Sequence, residues 1–195
     1  MSFRRATGFA VLTVLLSLVG ALLVGTSPAR AELRTLTTTY NCDAGSFGSG
    51  SSAVTVRVDI PNRVRAGVQV DARRITFRIV VPDELVQQMR DNSVDAISAT
   101  ATAKYRVGAK RVPIRNLTIP RTEVPAEGDM VIRGSGRAGA FTINEPGRYA
   151  VKVPRGLAAE VTAYGVPIVG QITTDMTCAL ATGAPARLAT LRVVR

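Results

Sequence analysis

Few side chains in this chain could do chemistry, and one type is missing altogether. There is no histidine, which removes Ser-His-Asp and Cys-His nucleophilic machinery, histidine-based zinc sites and the commonest general base. Carboxylates remain. Glu123, Glu127, Asp129 and Glu145 are the set from which a histidine-free hydrolase would draw a paired acid and base of the glycosidase kind. Sugar-cleaving sites also present aromatic platforms, and this chain has no Trp, four Tyr and five Phe. Solvated loop acids are the better reading. No Asp-x-Asp-x-Asp-Gly loop offers calcium a cage, and no cofactor or metal is expected. Gly134-Ser-Gly136-Arg-Ala-Gly139 spells the dinucleotide glycine pattern, but a strand-like Ala140-Phe-Thr-Ile143 follows where that site needs a helix. A tight turn between strands is expected there instead.

The strongest binding candidate is basic. Lys104, Arg106, Lys110, Arg111 and Arg115 fall on the wet face and tip of one predicted hairpin, with Arg73, Arg74 and Arg78 as candidates to join them. If Val107 faces Val112, then Lys104 faces Arg115, and like charges across a strand pair cost stability unless an anion relieves them. Such a face would take an anionic cell-envelope polymer or an acidic protein. Nucleic acid is not expected, because no base-stacking aromatics are interleaved with the arginines. The plainer alternative is a soluble face whose charges deter edge-to-edge aggregation.

The elements that carry these residues follow from periodicity. Ile97, Ala99, Ala101, Ala103, Tyr105 and Val107 alternate with Ser, Thr, Lys and Arg, the mark of a strand with one buried and one wet face. After Gly108-Ala109-Lys110-Arg111 the apolar pattern resumes at Val112, Ile114, Leu117 and Ile119, which makes a long hairpin. Leu36 to Cys42, Val54 to Ile60, Val68 to Ile79 with a phase change near Asp71, and short runs from Met130 to Val194 add further strands. Gly45 to Ser52 reads as a flexible loop with Phe47 as its anchor. Pro82 to Arg90 is the one convincing helix: proline opens it, Asp83 and Glu84 fill its first turn, and Leu85, Val86 and Met89 share a face.

Residues 1–31 are set aside as a signal peptide. Arg4 and Arg5 precede an apolar run, and Ser27-Pro-Ala-Arg-Ala31 supplies the small-x-small cleavage pattern. The general secretory route is expected, with no stable membrane anchor and a secreted, extracellular product. Residues 32–195 suit one domain. The whole chain carries a net charge of +11, and loss of Arg4, Arg5 and Arg30 leaves +8. Cys42 and Cys178 lie near the two ends of the mature chain, and an even pair in an exported protein is most simply one disulfide. Many short strands, one helix and such a bridge predict an all-β fold, specifically an immunoglobulin-like β-sandwich.

Six short motifs also recur in order in a known family: Thr39-Tyr40-x-Cys42, a helix after Val81-Pro82, Ala99-Thr-Ala-Thr-Ala-x-Tyr105, Leu117-Thr-Ile-Pro120, Val124-Pro-Ala-x-Gly128 and Cys178-x-Leu180. The chain resembles the exported actinobacterial domains of unknown function. That resemblance implies a secreted, disulfide-closed β domain and brings no catalytic residue with it. The functional expectation is a non-catalytic structural or binding module at the cell exterior that binds anionic envelope components. The alternative is the carboxylate hydrolase.

Overall fold

A computed structural model describes residues 31–45 and 48–195. The predicted signal peptide, apart from Ala31, and the predicted anchor Phe47 lie outside the described residues. The chain runs β1 (Ala31–Asp43), β2 (Ser49–Pro61), β3 (Arg63–Arg65), β4 (Gln69–Val70), β5 (Arg73–Val81), α1 (Asp83–Asp91), β6 (Ala96–Val107) and β7 (Lys110–Glu123). It continues with β8 (Met130–Ala138), β9 (Phe141–Thr142), β10 (Gly147–Lys152), β11 (Gly156–Val166), β12 (Gly170–Leu180) and β13 (Arg187–Val194). The fold is all-β with one short helix, as the alternation predicts.

The immunoglobulin-like sandwich does not form. The order β11-β12-β1-β2-β5-β8-β7-β6 closes on itself, because β6 pairs back onto β11 from Ala96↔Tyr164 to Ala103↔Leu157. The result is an eight-stranded barrel, and full closure leaves these strands no free edge to protect. β10, β13 and β3 extend the sheet beyond β6 at one end. Cys42 and Cys178 are bonded, as expected, and stand directly opposite on the neighbouring strands β1 and β12 of one sheet. The bridge staples one wall.

Local irregularities bend the sheet into a tube. Against β6, the β7 partners step from Leu117 to Ile114 between Ala101 and Ala103, and from Thr122 to Ile119 between Ile97 and Ala99. Each step puts one extra residue into β7. Such bulges raise the local twist and coil a strand. The first explains why Ile114 and Leu117 both point inward, with Asn116 at φ 51° between them.

Gly134 and Gly136, expected in a turn, stand instead in the middle of β8. A Cβ on Gly134 would come 2.2 Å from Phe77 Cζ and 2.6 Å from the Thr118 carbonyl, so a bare backbone is what lets the Phe77 ring lie over it. The hairpin turn is also tighter than expected. Val107 pairs with Lys110 and Arg106 with Arg111 around Gly108-Ala109, with Gly108 at φ 59°. Lys104 therefore faces Pro113 rather than Arg115. The shift is two residues, which preserves which side chains face inward.

Two buried clusters hold the barrel. At the end extended by β10 and β13, Val107, Val112, Ile114, Leu191 and Val193 pack with Phe141. Tyr105 meets Phe141 edge to face at 6.3 Å and donates its hydroxyl to the Gly139 carbonyl. At the other end Val81, Val94, Ile97, Met130 and Ile132 pack around Val86 of α1.

Candidate apolar ligand site in the barrel lumen

Between these clusters the barrel is hollow. An eight-stranded barrel is just wide enough for side chains to fill it, provided that they are large. Here β6 turns Ala99, Ala101 and Ala103 inward, and β11 turns Ala159 and Ala163 inward beside them. Val54 and Val56 of β2, Phe77 and Ile79 of β5, and Ile114, Leu117 and Ile119 of β7 form much of the rest of the wall. Five alanines on two adjacent strands leave that side of the tube short of volume, although Ile97, Leu157 and Val161 also line it. The space left is a cavity of about 270 Å³. The inward-pointing Val54, Val56, Ala101 and Ala103 are only half-buried, although they point to the centre of the molecule.

Helix α1 closes the mouth of this cavity. Leu85 and Met89 face the lumen, while Val86 is fully buried in the packing beside it. Gly50 on β2 makes room for the helix, since a Cβ there would lie 2.5 Å from Leu85 Cδ1. Pro82 offers no side-chain cap. Asp129, from the β7–β8 connection, accepts the Asp83 amide at 3.0 Å instead. Arg90 pairs with Asp83 at 2.7 Å and donates to the Pro125 carbonyl at 3.0 Å. The plug is thus tied at both ends to the same connection.

The lining holds no Asp, Glu, Lys or Arg. Its polar groups are Gln88, Asn92 and Ser49 at the mouth, Ser52 and Thr174 in the wall, and Tyr40. Tyr40 donates its hydroxyl to the Pro154 carbonyl at 2.6 Å, and burial pushes its pKa up to about 12. The lumen thus offers no counter-charge to a bound ion, and an unpaired charge placed there would be expensive. The mouth does not help an anion either, because Asp83, Glu84 and Asp91 of α1 are exposed around it.

The residues singled out from sequence lie elsewhere. Lys104, Arg106, Arg111 and Arg115 share the outer face of β6 and β7, with Arg106 opposite Arg111. Lys110 leaves that face and donates to the Thr142 carbonyl at 3.0 Å. Of the carboxylates, Glu123 ends β7 at the helix end, and Asp129 caps α1. Glu145 sits near Tyr149 at the opposite end of the barrel, its carbonyl accepting that hydroxyl. Sequence reasoning missed the lumen residues as a site. The signal was present in the run Ala99-Thr-Ala-Thr-Ala103, where every inward position is too small to fill a barrel.

The profile of a family described as a family of unknown function, DUF6801, matches residues 39–189. No curated protein and no solved structure matches the chain.

Proposed function

We infer that this chain, which belongs to the DUF6801 family, is a non-catalytic binding module whose barrel lumen takes a neutral, apolar small molecule. The observation that carries this reading is a cavity of about 270 Å³ walled mostly by alanine, valine, isoleucine and leucine with one phenylalanine, and with no acidic or basic side chain in its lining. Apolar cavities stay dry and accept apolar guests, and a void of about 150 Å³ already suffices for benzene. Ligand pockets are characteristically mostly apolar, with a few polar groups that orient the guest. Gln88, Asn92 and Ser49 at the mouth supply such groups for an alcohol, ester or carbonyl end. We place the module outside the cell. The Cys42–Cys178 disulfide fits an oxidising compartment, and among the described residues no helix is long and apolar enough to cross a membrane.

The test uses the neutral dye N-phenyl-1-naphthylamine. Saturable binding of one dye per chain, displaced by dodecanol and far less by dodecanoate, supports the reading. Enlarging the wall with Ala101→Leu and Ala159→Leu together should abolish dye binding in a protein that still folds. Non-saturating fluorescence, or full binding by the filled double variant, would defeat it.

A further inference from the structure

The outer face of β2, β5, β8 and β7 has a composition that no single stretch of sequence displays. Alternation turns Arg74, Thr76 and Arg78 of β5 outward, together with Arg133, Ser135 and Arg137 of β8. The residues that alternate with them, such as Ile75, Phe77 and Ile132, face the interior. Register then lines them up. Arg74 stands opposite Arg137, which stands opposite Arg115 of β7. In the next row Arg57 of β2, Thr76, Ser135 and Thr118 follow one another across four strands. In the third, Thr55, Arg78 and Arg133 do the same. The result is a continuous face of arginines and hydroxyls, and all six arginines are exposed.

Among the described residues no carboxylate pairs with these arginines: the ion pairs are Arg34–Glu32 and Arg90–Asp83, neither on this face. β5 and β8 carry no carboxylate, and the only one on β7 is Glu123 at its far end. Asp59, the next outward residue along β2 after Arg57, makes no ion pair. Like charges directly opposed on neighbouring strands are destabilising, yet this arrangement occurs twice, as Arg74–Arg137–Arg115 and as Arg78–Arg133, with the row of hydroxyls between them. Guanidinium groups match phosphate and carboxylate oxygens in bidentate geometry.

We propose that this face is a binding site for a linear polyanion with repeating phosphate groups. With strands about 4.8 Å apart and residue pairs about 6.7 Å apart along them, the arginines spread over roughly 13–15 Å in both directions. That is too wide for one tetrahedral oxyanion and suits a chain of them. A membrane surface is the poorer fit. The exposed large apolar side chains, Leu33, Val68, Ile168, Val169 and Ile172, all lie off these four strands, so none is available here to insert among acyl chains. The face is also the outside of the barrel wall, so polymer binding and occupancy of the lumen are separate properties.

The experiment measures binding of the full chain to long-chain inorganic polyphosphate, to inorganic phosphate at equal phosphate concentration, and to phosphatidylglycerol vesicles, each at several salt concentrations. The proposal expects tight, salt-dependent binding to polyphosphate, with monophosphate and vesicles at least tenfold weaker. Replacing Arg74, Arg115 and Arg137 by Gln should weaken polyphosphate binding at least tenfold and lower the slope of log affinity against log salt by about 2, as loss of three phosphate contacts to a single strand requires. A control with the same change in charge, at Arg65, Arg148 and Arg192, should lose less than threefold. Equal losses in the two triple variants would overturn the proposal, because net charge alone would then account for binding. Vesicle binding that matches or exceeds polyphosphate binding would also overturn it. Arg137→Glu alone, at the centre of the first row, gives the same readout should the triple variant fold poorly.

Discussion

Filling the lumen should stabilise the protein, and the sign of that effect tests whether the barrel is hollow. Ala101 lies on β6 opposite Leu117 of β7 and Ala159 of β11, and it lines the cavity. Ala101→Leu adds three carbons. At about 0.8 kcal/mol per buried methylene the transfer gain is about 2.4 kcal/mol, and ordering the leucine side chain costs about 0.5–1 kcal/mol. The net expectation is about 1.5 kcal/mol more stability. With a urea slope of about 2 kcal/mol/M, the midpoint should rise by roughly 0.8 M at unchanged slope. Forcing the same carbons into a packed core would cost about 1–3 kcal/mol through shifted rotamers and backbone. Ala158→Leu, on the outer face of β11 opposite Thr102, is the control and should change stability by less than about 0.5 kcal/mol. Equilibrium urea unfolding followed by tyrosine fluorescence and circular dichroism reads all three proteins. A fall in the Ala101→Leu midpoint would refute the reasoning, because it would mean that the alanines already have neighbours filling the space.

Reduction of Cys42–Cys178, which closes a separation of 136 residues, should lower stability by up to about 5 kcal/mol on the chain-entropy account; the urea midpoint with and without reductant measures it. Asp129→Ala should remove the cap on α1 at a cost of about 1 kcal/mol and speed dye entry into the lumen, read by stopped-flow fluorescence, while the barrel's circular dichroism stays unchanged. Tyr40 has its pKa raised by burial from 10.0 to about 12, so the folded state favours its neutral form. That contribution is complete below pH 10 and is lost as pH rises towards 12. The melting temperature should fall across that window, and Tyr40→Phe should flatten part of the fall; an unchanged profile in the variant would show that Tyr40 is not the group responsible.

The inward and outward lists could be read from residue order alone. Period-two alternation assigns each side chain to a face without reference to any partner, so the strand at Ile97–Val107, its return at Val112–Ile119 and the helix after Pro82 were all legible. The two cysteines were legible as a pair for the same kind of reason, since their number and context sufficed. What alternation cannot supply is which strands become neighbours. The bulges in β7 and the inward glycines of β8 bend the sheet until β6 meets β11, and that closure produced a barrel where the spacing of strands alone was compatible with a sandwich. Closure also decided what each inward list faces. Val107 and Val112 pack with Leu191 in the core, whereas Ala101 and Ala103, at the edge of that cluster, become part of the wall of a cavity. The outward lists changed meaning in the same way. Arg74, Arg115 and Arg137 are far apart along the chain, and only pairing register, a property of three strands at once, brings them into one row.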